Sequence, residues 1–142
     1  MGIYEKSDVD IVWRLLQYVS PMERKAIGDW RSDLSVSRRA DLDVFLRYMV
    51  KLAKWQMPDL KSLSGRHLKG HYELRWKSDN VPHRIGGYFS ADDEFVMLIG
   101  WTHNAKKHDP PSALELLIKR HNQVRNKEAS LCEYEVFSSK RT

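Results

Sequence analysis

The longest apolar run in the chain, Phe95–Trp101 (FVMLIGW), has the length of a strand and is apolar on both faces. Runs of that kind belong to the central strands of sheets. A bilayer-crossing helix takes roughly 18 to 20 apolar residues, so this run does not mark a membrane span. The chain is therefore organised around a sheet, and two preceding segments supply neighbours. In His71–Lys77, Tyr72, Leu74 and Trp76 alternate with His71, Glu73, Arg75 and Lys77, the period of a strand with one buried face. Ser78, Asp79 and Asn80 form a turn, and His83–Phe89 returns with Ile85 and Phe89 on one side and Arg84 and Tyr88 on the other. Gly86 and Gly87 lie between them, marking either a bulge or a close approach of substrate. Pairing Trp76 with His83 sets Arg75 opposite Arg84, and a slip of two residues keeps both on one face.

The remaining segments frame this meander. Ile11–Val19 reads as a first strand, with a short helix as the competing reading. Ser20, Pro21 and Glu23 supply a cap, a first-position proline and a capping-box acid for a helix whose stripe is Met22, Ala26, Ile27, Trp30 and Leu34. A second helix starts at Ser35 or Ser37, carries Leu42, Phe45, Leu46, Met49, Leu52 and Ala53 at helical spacing, and ends near Trp55 before Pro58. Asp59–Gly70 is polar and basic and reads as a loop, as does Thr102–Asp109. A last helix opens at Asp109–Pro110 or at Ser112 with Glu115, with Leu114, Leu117, Ile118 and Val124 inward and Lys119, Arg120 and Arg125 outward. A short strand is expected at Tyr134–Phe137, with residues 1–10 and 131–142 peripheral.

With 142 residues the chain holds one domain, spanning 1–142. Lysine and arginine number 24 against 19 acids, a net charge of +5, which favours an anionic partner such as nucleic acid. The one cysteine forms no internal disulfide, and the start of the chain lacks the basic-then-apolar pattern of a signal peptide, so a cytoplasmic location is expected.

The YELR segment (Tyr72–Arg75), the HRIGGYF segment (His83–Phe89), the apolar strand ending in Gly100–Trp101, Lys106–Lys107 and the Asp109–Pro111 helix start together resemble the RelE/HigB type of toxin. The branch is that of phage-derived proteins related to HigB. The resemblance covers roughly Trp13 to Val124. It implies an α+β fold: strand, two helices, a three-stranded antiparallel meander and a C-terminal helix, with the helices packed on one face of the sheet. It also implies the toxin of a type II toxin–antitoxin system, a hydrolase that cleaves messenger RNA on the ribosome without metal or cofactor. A cognate antitoxin would neutralise it in a hetero-oligomer, and no membrane is involved. The loop departs from the family pattern by one or two residues, so its lysines do not match one to one. Relatives with this fold include gyrase inhibitors that are not nucleases, so a non-nuclease or phage binding module is the alternative.

Metal-free RNA cleavage needs a base for the 2′-hydroxyl, an acid for the leaving oxygen and cations for the phosphorane. Arg75 and Arg84 suit the cationic task, because a guanidinium fork binds phosphate oxygens and stays charged. The plainer alternative is an ion-pair ladder in which Glu73 neutralises both. His103 and His108, with His67 and His71, are candidates for acid and base, as is a lysine among Lys106 and Lys107 made less basic by its neighbours. Lys61, Arg66, His67, Lys69 and His71 read as a track for the RNA backbone, with Tyr88 as a stacking surface.

Overall fold

The computed structural model describes residues 10–102 and 111–137. Its elements are β1 (Arg14–Val19), α1 (Ala26–Ser32), α2 (Val36–Lys51), β2 (Leu60–Ser62), β3 (Tyr72–Ser78), β4 (Val81–Ala91), β5 (Glu94–Thr102), α3 (Pro111–Arg125) and β6 (Ser130–Glu133). The strands form one mixed sheet of six in the order β2-β3-β4-β5-β1-β6.

The expected meander is there, with Trp76 opposite His83 and Arg75 opposite Arg84. A three-stranded sheet is nevertheless the wrong architecture. β5 is apolar from Phe95 to Trp101 and is paired on both edges, by β4 antiparallel and by β1 parallel. β2 then lines β3, and β6 lines β1. Both added strands are short and carry little periodicity: β2 falls inside the segment expected as a loop, and β6 replaces the strand expected at Tyr134–Phe137. There the side chains of Tyr134, Val136 and Phe137 pack on the core beside α2 instead.

Nor do the helices share a face. From α1 and α2, Ile27, Leu42, Phe45, Leu46 and Met49 cover Leu15, Leu74, Ile85, Phe95 and Met97. From α3, Ala113 and Leu117 cover Tyr18, Val96, Leu98 and Trp101 on the opposite side. A strand that is apolar on both faces demands this second layer, because a one-sided arrangement would leave Val96 and Leu98 in water at roughly 2 kcal/mol each.

The first helix also starts later than its sequence caps predict. Ser20 Oγ accepts from the backbone N–H of Met22 and of Arg24 in a turn, and Met22, expected in the core, is 83% exposed. The helix is capped instead from β1: buried Gln17 Oε1 accepts from the N–H of Ile27 (3.0 Å) and of Gly28 (2.9 Å). A sheet residue thus takes the part of a local cap. Gln17→Leu should strand both donors and cost about 2 kcal/mol, read as a lower urea midpoint at unchanged slope; no shift would show the cap to be dispensable. At the other end of the helical pair, the indole N–H groups of Trp55 and Trp13 donate to Met49 O and Leu52 O, closing α2 (both 2.8 Å).

Two features position the site. Asp79 and Asn80 adopt left-handed φ values of 52° and 63°, the backbone of a two-residue hairpin turn, and Ser78 Oγ and Asp79 tie that turn to Asp41, Ser37 and Arg38 of α2. Further along, Gly86 pairs with Ile99 and Gly87 with Met97, so Leu98 bulges out of register. Arg120 of α3 donates to the Leu98 carbonyl at 2.7 Å and lies over the Tyr18 ring, which seats the helix on the bulge. Among the described residues no helix is long and apolar enough to cross a membrane.

Candidate phosphate site

Cross-strand neighbours share a face, and the ladder therefore fixes one set of side chains. Lys61 lies opposite Glu73 and Arg75 opposite Arg84, all on the face that α3 covers further along. The two arginines do not simply repel. Glu73 Oε2 stands 3.4 Å from Arg75 Nε and 3.4 Å from Arg84 Nε, so these three groups together carry one net positive charge. Side-chain exposure separates the pair: 29% for Arg75 and 10% for Arg84, with Glu73 at 4%. Glu73 was expected on a solvent face; it is buried because Leu117 of α3 and the Trp101 ring sit over its ladder partner Gly86. Arg75 and Arg84 open into a cleft of about 240 Å³ with Pro58, Trp76, Lys77 and Pro82.

The predicted acid and base residues of the second loop, His103, Lys106, Lys107 and His108, lie outside the described residues. The segment joins β5 after Thr102, whose ladder partner is His83, the neighbour of Arg84. Of the backbone track, Lys61 shares the face of Arg75, and Arg66, His67 and Lys69 are exposed in the connection between β2 and β3. His71 does not belong to an exposed track, being only 6% exposed.

His71 instead joins a cluster that involves a residue not singled out from the sequence, His121 of α3. His71 Nδ1–H donates to Leu68 O (3.3 Å), so its Nε2 is free to accept from His121 Nδ1–H at 2.7 Å. His121 Nε2 then faces Arg125 at 3.5 Å. One direction of hydrogen bonding, with both rings neutral, satisfies the whole chain. The His121 ring stacks on Tyr88 with centroids 3.9 Å apart, so Tyr88 is engaged within the fold. The signal for His121 was present in the sequence: with Leu117 and Val124 it completes an i, i+4, i+7 stripe. His71 lies four positions before Arg75, roughly 13 Å along extended backbone and too far to share one phosphate, and it is not among the residues lining the Arg75 cleft.

Burial, with His71 and Arg125 beside it, lowers the His121 pKa to about 4. Burial lowers His71 as well, and also His83, which lies among Trp30 and Trp76. Since these folded values lie below the unfolded value of about 6.5, the unfolded chain binds more protons as pH falls. The stability the neutral rings provide is complete above about pH 6.5 and is lost progressively toward pH 4. His121→Gln should flatten the stability–pH slope in that window by up to about one proton; an unchanged slope in denaturant titrations at pH 4.5 and 6.5 would count against the neutral pair.

Among the described residues no three His, Cys, Asp or Glu side chains gather as a metal centre would require. No family model matches the chain, and neither a curated protein nor a solved structure matches it.

Proposed function

We propose that the protein is a RelE/HigB-like toxin of a type II toxin–antitoxin pair, a cytoplasmic endoribonuclease that cuts messenger RNA on the ribosome and is neutralised by a cognate antitoxin. The observation that carries this reading is the ladder pairing of Arg75 with Arg84 on a sheet face that also bears Lys61, with Arg75 open to a cleft. Support comes also from the YELR and HRIGGYF segments at those positions and from the basic balance of the chain.

In this reading a phosphate sits against Arg75, with Arg84 behind it. The 2′-hydroxyl attacks the adjacent phosphorus, the bond to the 5′-oxygen breaks, and the products are a 2′,3′-cyclic phosphate and a 5′-hydroxyl. One proton leaves the attacking hydroxyl and one reaches the departing oxygen. His103, Lys106, Lys107 and His108 are the candidates for these transfers, since the described histidine pair lies too far away. The arginines stabilise the extra charge of the phosphorane, and the exposed cations at Lys61, Arg66 and Lys69 hold flanking phosphates.

The test is to map RNA 5′ ends after induced expression. New 5′-hydroxyl ends inside translated messages, lost when the start codon is removed, are expected. Intact messages would overturn the reading. The buried pairing of both arginines with Glu73 favours a second reading, a non-nuclease member acting on gyrase or another partner, for which the outcome is DNA-damage signalling with intact messages.

A further inference from the structure

A carboxylate buried in the middle of a sheet face is an expensive way to hold a fold together. Well-packed apolar residues are commonly as stable as a buried ion cluster, and Glu73 is only 3% exposed, across the ladder from a glycine over which Leu117 packs. Stability does not account for it. What Glu73 does in space is more specific. One oxygen, Oε2, meets the Nε side of two guanidinium groups that arrive from neighbouring strands at directly opposed positions, each at 3.4 Å. The contact with each Nε is one of charge rather than a hydrogen bond, and Arg75, the more exposed of the two, lines the cleft with Lys77 and Pro58.

Resting on the phosphate-site reading above, we propose that Glu73 is a positioning residue: it orients Arg75 and Arg84 together and offsets their mutual repulsion, so that the pair meets a phosphate already aligned. The carboxylate lies beside the site yet opposes the binding of an anion. Removing its charge should therefore help binding and harm the reaction, a split that a purely structural residue would not produce.

The experiment uses the full-length protein and Glu73→Gln, which keeps the size and removes the charge. On ribosomes programmed with a message, the rate at saturation should fall at least tenfold, while the half-saturating concentration stays within threefold or decreases. Glu73→Asp, which keeps the charge one methylene further back, should recover part of the rate. A 2′-O-methyl oligoribonucleotide, which cannot be cut, reads binding alone. Glu73→Gln should bind it more tightly with a salt slope steeper by about one, and Arg75→Ala more weakly with a slope shallower by about one.

If these opposite shifts occur but the wild-type protein leaves messages intact, the nuclease reading fails and the assignment of Glu73 stands. If Glu73→Gln changes neither rate nor salt slope, or loses rate and binding in step with its folded fraction, the assignment is overturned. Absence of oligonucleotide binding by the wild-type protein overturns both. Should Glu73→Gln not fold, Glu73→Asp decides: a slower rate at unchanged half-saturation supports the assignment, and a wild-type rate overturns it.

Discussion

Arg75→Ala is expected to abolish growth arrest and to lower RNA cleavage about 10²- to 10³-fold, the usual effect of removing one preorganised donor from a developing anion, while leaving the melting temperature nearly unchanged. The separation of activity from stability follows from the exposures within the charged cluster. Arg75 has a side chain 29% exposed, and when it is removed Glu73 keeps Arg84 at 3.4 Å, so no buried charge loses its last opposite. Arg84→Ala would be a poorer test. Its side chain is 10% exposed, so deleting it takes packed atoms out of the interior as well as a charge, and loss of fold can imitate loss of chemistry. Arg75→Lys divides the question further: a point charge without the planar fork should retain part of the binding and little of the rate. The measurement is a count of RNA 5′ ends in cells expressing equal amounts of each variant, with thermal unfolding of the purified proteins alongside. Full cleavage by a folded Arg75→Ala protein would remove Arg75 from the site.

Local pattern was enough to place the meander, because its information is local: alternation in Tyr72–Trp76, a left-handed Asp79–Asn80 turn, and a register fixed by loop length together put Arg75 opposite Arg84. The error in architecture has a nonlocal cause. The parallel pairing of β1 with β5 joins residues some eighty positions apart, and neither segment carries a mark of the other. The same holds for Gln17, whose service to Ile27 and Gly28 is invisible while caps are sought only among the residues just before a helix. The apolar run itself contained the correction, since apolar character on both faces of Phe95–Trp101 calls for cover on both sides and so excludes helices on one side alone. At the site, alternation assigned Glu73 to solvent, whereas the helix that buries it begins beyond position 110. The candidates in the second loop fall outside the described residues, and the acid and base of the proposed reaction rest on sequence.

The largest loss of stability is expected from Gly87→Ala. A side-chain carbon added there would run into the carbonyl oxygen of Val96 and stand 2.9 Å from its carbonyl carbon and 3.0 Å from Phe95 Cε2. Unlike Gly86, whose added carbon meets side-chain atoms of Leu117 and Trp101, Gly87 faces the backbone of the neighbouring strand, which cannot give way without breaking the ladder. The cost should reach about 3 kcal/mol, or roughly 10 °C in melting temperature for a chain of this size. Gly28→Ala is the matched control. Its added carbon would lie 3.6 Å from Lys25 Cβ, an ordinary contact, its N–H would still donate to Gln17, and inside α1 alanine gains up to about 1 kcal/mol over glycine. The two substitutions should therefore move stability in opposite directions. Gly87 also marks where β4 changes register against β5, between Arg84 and Tyr88. The chain could relieve the clash by abandoning the bulge, but a one-residue slip turns every side chain beyond it to the other face. Tyr88 would then leave His121, and the Leu98 carbonyl would leave Arg120, so α3 would lose its seat over Glu73. A Gly87→Ala protein as stable as the wild type, with the Tyr88–His121 stack intact by NMR, would show that the close approach is not what requires glycine there.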